Sequence, residues 1–340
     1  MPDENEDSLE ERLRTYLGGK VGLPVNVANL TRLAGGVSRE TWAFDLTGEG
    51  GDARQPQRLV LRMDTALAFI EGSRPAEFNL IRLAGRHGVP VPGVLWCEEE
   101  PEHLGAGFLI MEHVPGESLV SRLHNDPRYA RTRQVLLEQM AGALACIHRI
   151  TPGDDPSDDA GLRNLPGKKA VDYQEALYRE WAVDPHPVLE LAFRWLHGHL
   201  PPETPPALVH GDFRPGNMQF DETGLRAVLD WELACWGDPM ADVAWVALRS
   251  WRGGRDHQAV GGLGTREAFH RAYRQAGGRA VEAGPMRFWD MFALTRWAVV
   301  TVMELGGFLA GVPNLELASL GRRTAEIEWD LLGLLERAEP

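Results

Sequence analysis

The chain has 340 residues, 44% apolar and 25% charged, which is enough for one large domain or two lobes with ample core. A net charge of −14 excludes nucleic acid as a main partner, because a phosphate backbone demands a basic face. The cysteines Cys97, Cys146 and Cys235 are scattered without metal-ligand spacing, and the acidic start is unlike a signal peptide, so a reduced cytoplasmic protein is expected.

Ser8–Leu17 has the pattern of an amphipathic helix, with Ser8 as N-cap, Glu11 closing a capping box, and Gly18 and Gly19 as the stop. Val25–Leu33 reads as a first strand. Gly35 and Gly36 break it, and Trp42 and Phe44 mark the strand that resumes. The tip of this hairpin, with the Ser38 hydroxyl, either closes over phosphates or is an ordinary glycine turn. After a polar loop, RLVLRMD is a third strand carrying Arg62. Arg74–Arg86 repeats Phe78, Leu80, Ile81, Leu83 and Ala84 at helical spacing, with Glu77 in the first turn, where an acid suits the helix dipole. FLIM is a buried strand, and the chain leaves it through EHVPG, a turn.

Tyr129–Ile150 is a long helix, and 151–169 is the most linker-like segment. Helices are expected at 172–182 and 187–199, from near Pro239 with Asp242 in the first turn, and at 265–276, 285–309 and 319–337. Met291–Val312 is the longest apolar stretch. Arg296 and Glu304 interrupt it, so it is expected to be a buried helix and not a membrane span, with Arg296 either paired to a buried acid or in contact with substrate. Trp251, Trp289 and Trp297 read as core or pocket wall.

The chemistry is concentrated in LVHGDFRPGN and the run AVLD that ends at Asp230. A strand, a loop and a hairpin would bring Asp212, Asn217 and Asp230 to one point. Asp212 would orient a hydroxyl, and Asn217 and Asp230 would hold Mg²⁺. Phosphoryl transfer needs little else, since positioning and charge neutralisation carry most of its catalysis.

HGDFRPGN followed by LDWE resembles the catalytic and metal-binding loops of the aminoglycoside phosphotransferase family, which shares its fold with the protein kinases. The spacing is similar to their HRDxxxxN and DFG pair. With MEHVPG and LDWELACWGDP, the chain is also similar to the phosphotransferase-like domain fused to acyl-CoA dehydrogenases. The resemblance runs from about Leu30 to Ala247. It implies an α+β, two-lobed, protein-kinase-like fold, with a small antiparallel-sheet lobe over 1–113 and a mostly helical lobe over 114–340.

The resemblance also implies ATP or GTP as co-substrate, Mg²⁺, and a small hydroxylated acceptor, hydroxyacyl-CoA-like, aminoglycoside-like or other. Asp212 would take the hydroxyl proton. Arg214 would either neutralise the transferring phosphoryl group or serve in a structural ion pair. Asn217 and Asp230 would bind the metal. Arg62, standing where protein kinases use lysine, would hold the α- and β-phosphates, fixed by Glu77, with Gly35, Gly36 and Ser38 over the phosphates. Met111 would lie behind the adenine, and the backbone of Glu112 and Val114 would read its edge. His210 would shape the loop by packing. The arginine at position 62 keeps open a second reading, a nucleotide-binding pseudokinase or regulatory module without phosphotransfer. The missing HRD, DFG and APE residues count against a kinase acting on proteins.

Overall fold

The computed structural model describes residues 4–33, 39–48, 56–65, 73–155, 158–312 and 314–337. The chain forms two compact units. The first comprises Met1–Gly85, Val91–Pro115 and Asp159–Gly161. It opens with α1 (Glu4–Val21), which starts before Ser8 and runs through Gly18 and Gly19. The expected cap and stop are therefore corrected: Ser8 lies inside the helix, and Gly22 ends it at φ +74°, its N–H donating to the Gly18 carbonyl. Packing outweighs capping here. Leu9, Leu13, Tyr16 and Leu17 are buried. Each such side chain contributes about 1.5–3 kcal/mol, against ~1 kcal/mol for a cap.

Five strands follow: β1 (Val25–Leu33), β2 (Arg39–Gly48), β3 (Gln57–Asp64), and, after α2 (Arg74–Arg86), β4 (Val94–Glu98) and β5 (Phe108–Glu112). They make one antiparallel sheet in the order β1-β2-β3-β5-β4. Strand alternation puts Trp42, Phe44, Leu59, Leu61, Phe108 and Ile110 into one core with the buried face of α1. Arg62, next to Leu61 in β3, accordingly lies on the opposite face of the sheet.

The second unit comprises Arg86–Pro90, Gly116–Asp158 and Leu162–Pro340. Its helices before β6 are α3 (Val120–Asn125), α4 (Ala130–Ile147), α5 (Gly167–Trp181) and α6 (Pro187–Gly198). Then come β6 (Ala207–Val209), β7 (Met218–Asp221), β8 (Gly224–Val228) and β9 (Cys235–Gly237). β7 and β8 form the hairpin, and β6 pairs with β9 through Leu208↔Trp236. The last helices are α7 (Met240–Trp245), α8 (Arg266–Gln275), α9 (Ala283–Leu309), α10 (Leu315–Gly321) and α11 (Thr324–Glu336). The single helix expected at 319–337 is two. Its break falls where the Thr324 hydroxyl donates to the Gly321 carbonyl and meets the Thr301 hydroxyl.

Among the described residues, α9 is the one helix long and apolar enough to cross a membrane by length and composition. Here it is the unit's core helix. Trp289, Met291, Ala298, Val299 and Val302 are buried, and α5, α6, α7, α10 and α11 pack against it. The expected acid for Arg296 is also corrected. Its guanidinium sits 4.5 Å over the Trp245 ring and donates to the Gly211 carbonyl.

Candidate active site

The loop after β6 is held from below by one carboxylate. Asp242, in the first turn of α7, accepts the backbone N–H of His210 at 2.7 Å and of Gly211 at 2.9 Å. It also meets His148 Nε2 at 3.2 Å, and the other ring nitrogen of His148 meets the Tyr273 hydroxyl at 2.7 Å. Burial alone would raise the Asp242 pKa. The hydrogen bond and charge of His148, with His210, hold it below the usual carboxylate range. Gly211 has φ +83°, and a Cβ there would come within 2.3 Å of the Leu233 carbonyl oxygen, so the turn requires glycine.

His210 is fully buried and shapes the loop. Its Nδ1 accepts the Asp212 N–H at 3.2 Å, so its Nε2–H donates to the Leu229 carbonyl at 3.0 Å. Burial pushes its pKa down despite the negative charges of Asp242, Asp212 and Asp230 around it. The ring is therefore neutral and ties the loop to the end of the β7–β8 hairpin. Trp231 covers it at 4.6 Å between centroids.

Asp212 lies at the centre of a donor shell. Arg214 Nε–H donates to its two oxygens at 2.9 and 3.1 Å, Asn217 Nδ2–H to Oδ2 at 2.6 Å, and Trp245 Nε1–H to Oδ1 at 2.8 Å. Asn217 closes the 3₁₀ turn Pro215–Asn217. Its carbonyl accepts the Leu229 N–H at 2.9 Å, which puts Asp230 immediately beyond. Asp230 itself takes φ +66°, a left-handed conformation uncommon outside glycine and asparagine. The spacing in the sequence does bring Asp212 and Asn217 into contact, with Asp230 next to them. Beside this loop is a cavity of about 370 Å³, lined by Ser121, His124, Arg214, Ser250 and Trp251 among others. The Arg214 guanidinium lies 4.9 Å from the Trp251 ring centre.

An amide oxygen and a carboxylate are hard donors that suit Mg²⁺, which commonly takes one or two protein ligands and completes its shell with phosphate and water. Asn217 spends its amide N–H on Asp212 and so offers its amide oxygen. Among the described residues, no three His, Cys, Asp or Glu side chains form a closed metal cage, which is compatible with such an open site.

In the first unit, Arg62 pairs with Glu77 at 3.2 Å. Glu77 also takes Arg74, an ion pair the sequence reading missed, and Arg74 stands 3.3 Å from Asp64. The signal was available: an arginine three positions before Glu77 shares its helix face. Glu77 and Arg74 are both buried. Met111 is buried in β5, and Glu112 donates its N–H to the Gly93 carbonyl at 2.8 Å. Among the described residues the Val114 N–H has no backbone acceptor. Gly35, Gly36 and Ser38 lie outside the described residues. Trp245 was also missed as a site residue. It stands three positions after Asp242, on the face of α7 turned to the loop.

An antiparallel-sheet unit and a helical unit carrying such a loop define the kinase-like phosphotransferase fold. The chain superposes on a Ralstonia eutropha protein provisionally described as an aminoglycoside phosphotransferase with a TM-score of 0.73, at 24% identity, covering 94% of this chain and 97% of that one. A macrolide 2′-phosphotransferase from Brachybacterium faecium gives 0.62 at 17% identity, over 94% and 97% of the two chains.

The chain belongs to the phosphotransferase enzyme family, whose model matches residues 29–284. It is 28% identical to mouse acyl-CoA dehydrogenase family member 10, over 96% of this chain and 31% of that protein. It is 30% identical to mouse family member 11, over 71% of this chain and 30% of that protein. The chain thus spans about a third of the length of these relatives.

Proposed function

We propose that this chain transfers the γ-phosphoryl group of ATP or GTP to a hydroxyl of a small molecule. The observation that carries this reading is the Asp212 carboxylate, fixed by Asn217 and Trp245 one step from Asp230. A carboxylate has about four lone-pair sites, and the donors from Arg214, Asn217 and Trp245 fill them. An incoming hydroxyl must displace one of these donors. Asn217 and Trp245 are 5% and 2% exposed, whereas the Arg214 side chain is 30% exposed, so Arg214 is the group that leaves. It then takes up the charge of the transferring phosphoryl group.

The acceptor oxygen bonds to the γ-phosphorus as the bond to the β-phosphate oxygen breaks. The nucleoside diphosphate leaves, and the hydroxyl proton passes to Asp212 late in the step. Mg²⁺, when bound by Asn217 and Asp230, supplies charge neutralisation at the phosphate oxygens. Arg62, oriented by Glu77, is assigned the α- and β-phosphates, since a guanidinium forks onto two oxygens where lysine would offer a point charge. The Val114 N–H, without a backbone acceptor among the described residues, and the Glu112 carbonyl suit an adenine edge.

The cavity beside Arg214 is assigned to the acceptor. The related dehydrogenase family members put hydroxyacyl-CoAs among the candidates. A neighbour of the same fold, solved with ADP and hygromycin B at a TM-score of 0.59 and 19% identity, puts aminoglycosides there too. The test is a ³¹P NMR screen of purified chain with Mg-ATP or Mg-GTP against both classes and other alcohols. A phosphorylated acceptor that disappears with Asp212→Ala supports the reading. Transfer by Asp212→Ala at the wild-type rate overturns it, and tight nucleotide binding with no transfer to any alcohol favours the regulatory module instead.

A further inference from the structure

We propose that Trp245 is a positioning residue for this reaction, its indole N–H setting the plane of the Asp212 carboxylate. The inference rests on the phosphotransfer reading above and assigns a kinetic role to a side chain outside the loop. The torsion that turns a carboxylate is broad and roughly two-fold, so packing on the carbon stem does not define it. Donors must. Two buried donors do so from separate elements, Asn217 on Oδ2 and Trp245 on Oδ1.

Trp245 is itself rigidly placed. Its ring lies under Arg296 at 4.5 Å and against Trp251 and Trp297 at 5.5 and 6.0 Å, and its carbonyl accepts the Trp251 indole N–H at 2.9 Å. Asp242, one turn earlier on the same helix, grips the backbone of residues 210 and 211. One short helix therefore orients both the backbone of the catalytic loop and its reacting side chain. When Arg214 leaves, Trp245 and Asn217 keep the carboxylate aimed.

The test uses the full chain with Mg-ATP and water as the acceptor, reading phosphate release. Trp245→Phe keeps an aromatic ring under Arg296 but deletes the N–H. A hydrogen bond to a charged group is worth ten- to a hundredfold, roughly, so kcat should fall by that factor while KM for ATP stays constant. Trp289→Phe, at a buried indole of α9 packed on Phe288 and Phe292, should leave kcat unchanged. Equal kcat in wild type and Trp245→Phe would overturn the inference while leaving the Asp212 reading intact, provided Asp212→Ala is dead. Should wild type release no more phosphate than Asp212→Ala, the same variants are compared on an alcohol turned over in the ³¹P screen; if none is, the phosphotransfer reading falls, and the role of Trp245 with it. A second readout needs no Trp245 variant. In ¹⁵N-tryptophan protein, Asp212→Ala should move the Trp245 indole proton upfield and leave that of Trp289 in place. An unmoved Trp245 resonance would overturn the inference whatever the turnover.

Discussion

Asp230 shows what a single residue can test. Its φ of +66° is tolerated by asparagine but costs alanine about 1 kcal/mol. Asp230→Asn therefore isolates charge from backbone shape. It should weaken Mg-ATP binding at least tenfold by calorimetry with the melting temperature unchanged, while Asp230→Ala should lose both. Asp212→Ala should lower turnover by about 10²–10⁴ and leave the nucleotide Kd as it is. At Glu77 the arithmetic differs. The residue joins Arg62 to Arg74, both Arg74 and Glu77 being buried. Removing the shared acid strands buried cation, so Glu77→Ala should cost about 3 kcal/mol in urea unfolding. The pairing of Arg62 with Glu77 was legible only through the family resemblance, because an acid in a helix's first turn is equally explained by the helix dipole. Arg74 was legible at i,i+3 and was overlooked; Trp245 was not, because it meets Asp212 from 33 positions away in the chain.

Among elements, the catalytic turn and α9 behave in opposite ways. At Gly211 a Cβ would strike the backbone carbonyl of Leu233, which cannot swing away as a side chain would. Gly211→Ala should destabilise by about 2 kcal/mol or more and abolish turnover, read by chemical unfolding and phosphate release. In α9, burial first, and then the nearby charge of Glu316, raises the Glu304 pKa from 4.5 to about 7. The unfolded chain then loses this proton at lower pH than the folded one. Stability should fall as pH rises from about 4.5 to 7 and level off above. Glu304→Gln should flatten that slope and add roughly 1–3 kcal/mol at pH 8, checked by thermal melts across pH.

Helices with strong periodicity were legible to the residue, as Arg74–Arg86 was. The ends of α1 and the break between α10 and α11 were not. Buried leucines carried α1 past its glycines, and a hydroxyl pair beneath the Thr324 turn divided the last helix. Arg296 was misread because a charge in an apolar helix suggests an acid. A backbone carbonyl and an indole face can satisfy a guanidinium as well.

For the whole molecule, the kinase-like fold was readable from one segment, since HGDFRPGN and LDWE carry family membership by themselves. The acceptor was not readable. A cavity wall assembled from α3, Ser250 and Trp251 leaves no contiguous trace in the chain. A nucleotide that binds only the folded state should raise the melting temperature, and in Asp230→Asn that rise should be smaller than in wild type at the same nucleotide concentration.

The pairing of β6 with β9 has one more consequence. Asp212, Asn217 and Asp230 all sit inside a span of chain whose two ends are zipped together, and the exposed hairpin tip at Glu222 and Thr223 is the point in it farthest from that zipper. Severing the chain there would part Asp212 from Asp230, so on the proposed mechanism neither fragment could work alone. Both cut ends would still be tethered, one through β6 and the other through β9. Residues 1–222 and 223–340, produced together in one cell, should reassemble into one complex, and neither piece by itself should release phosphate.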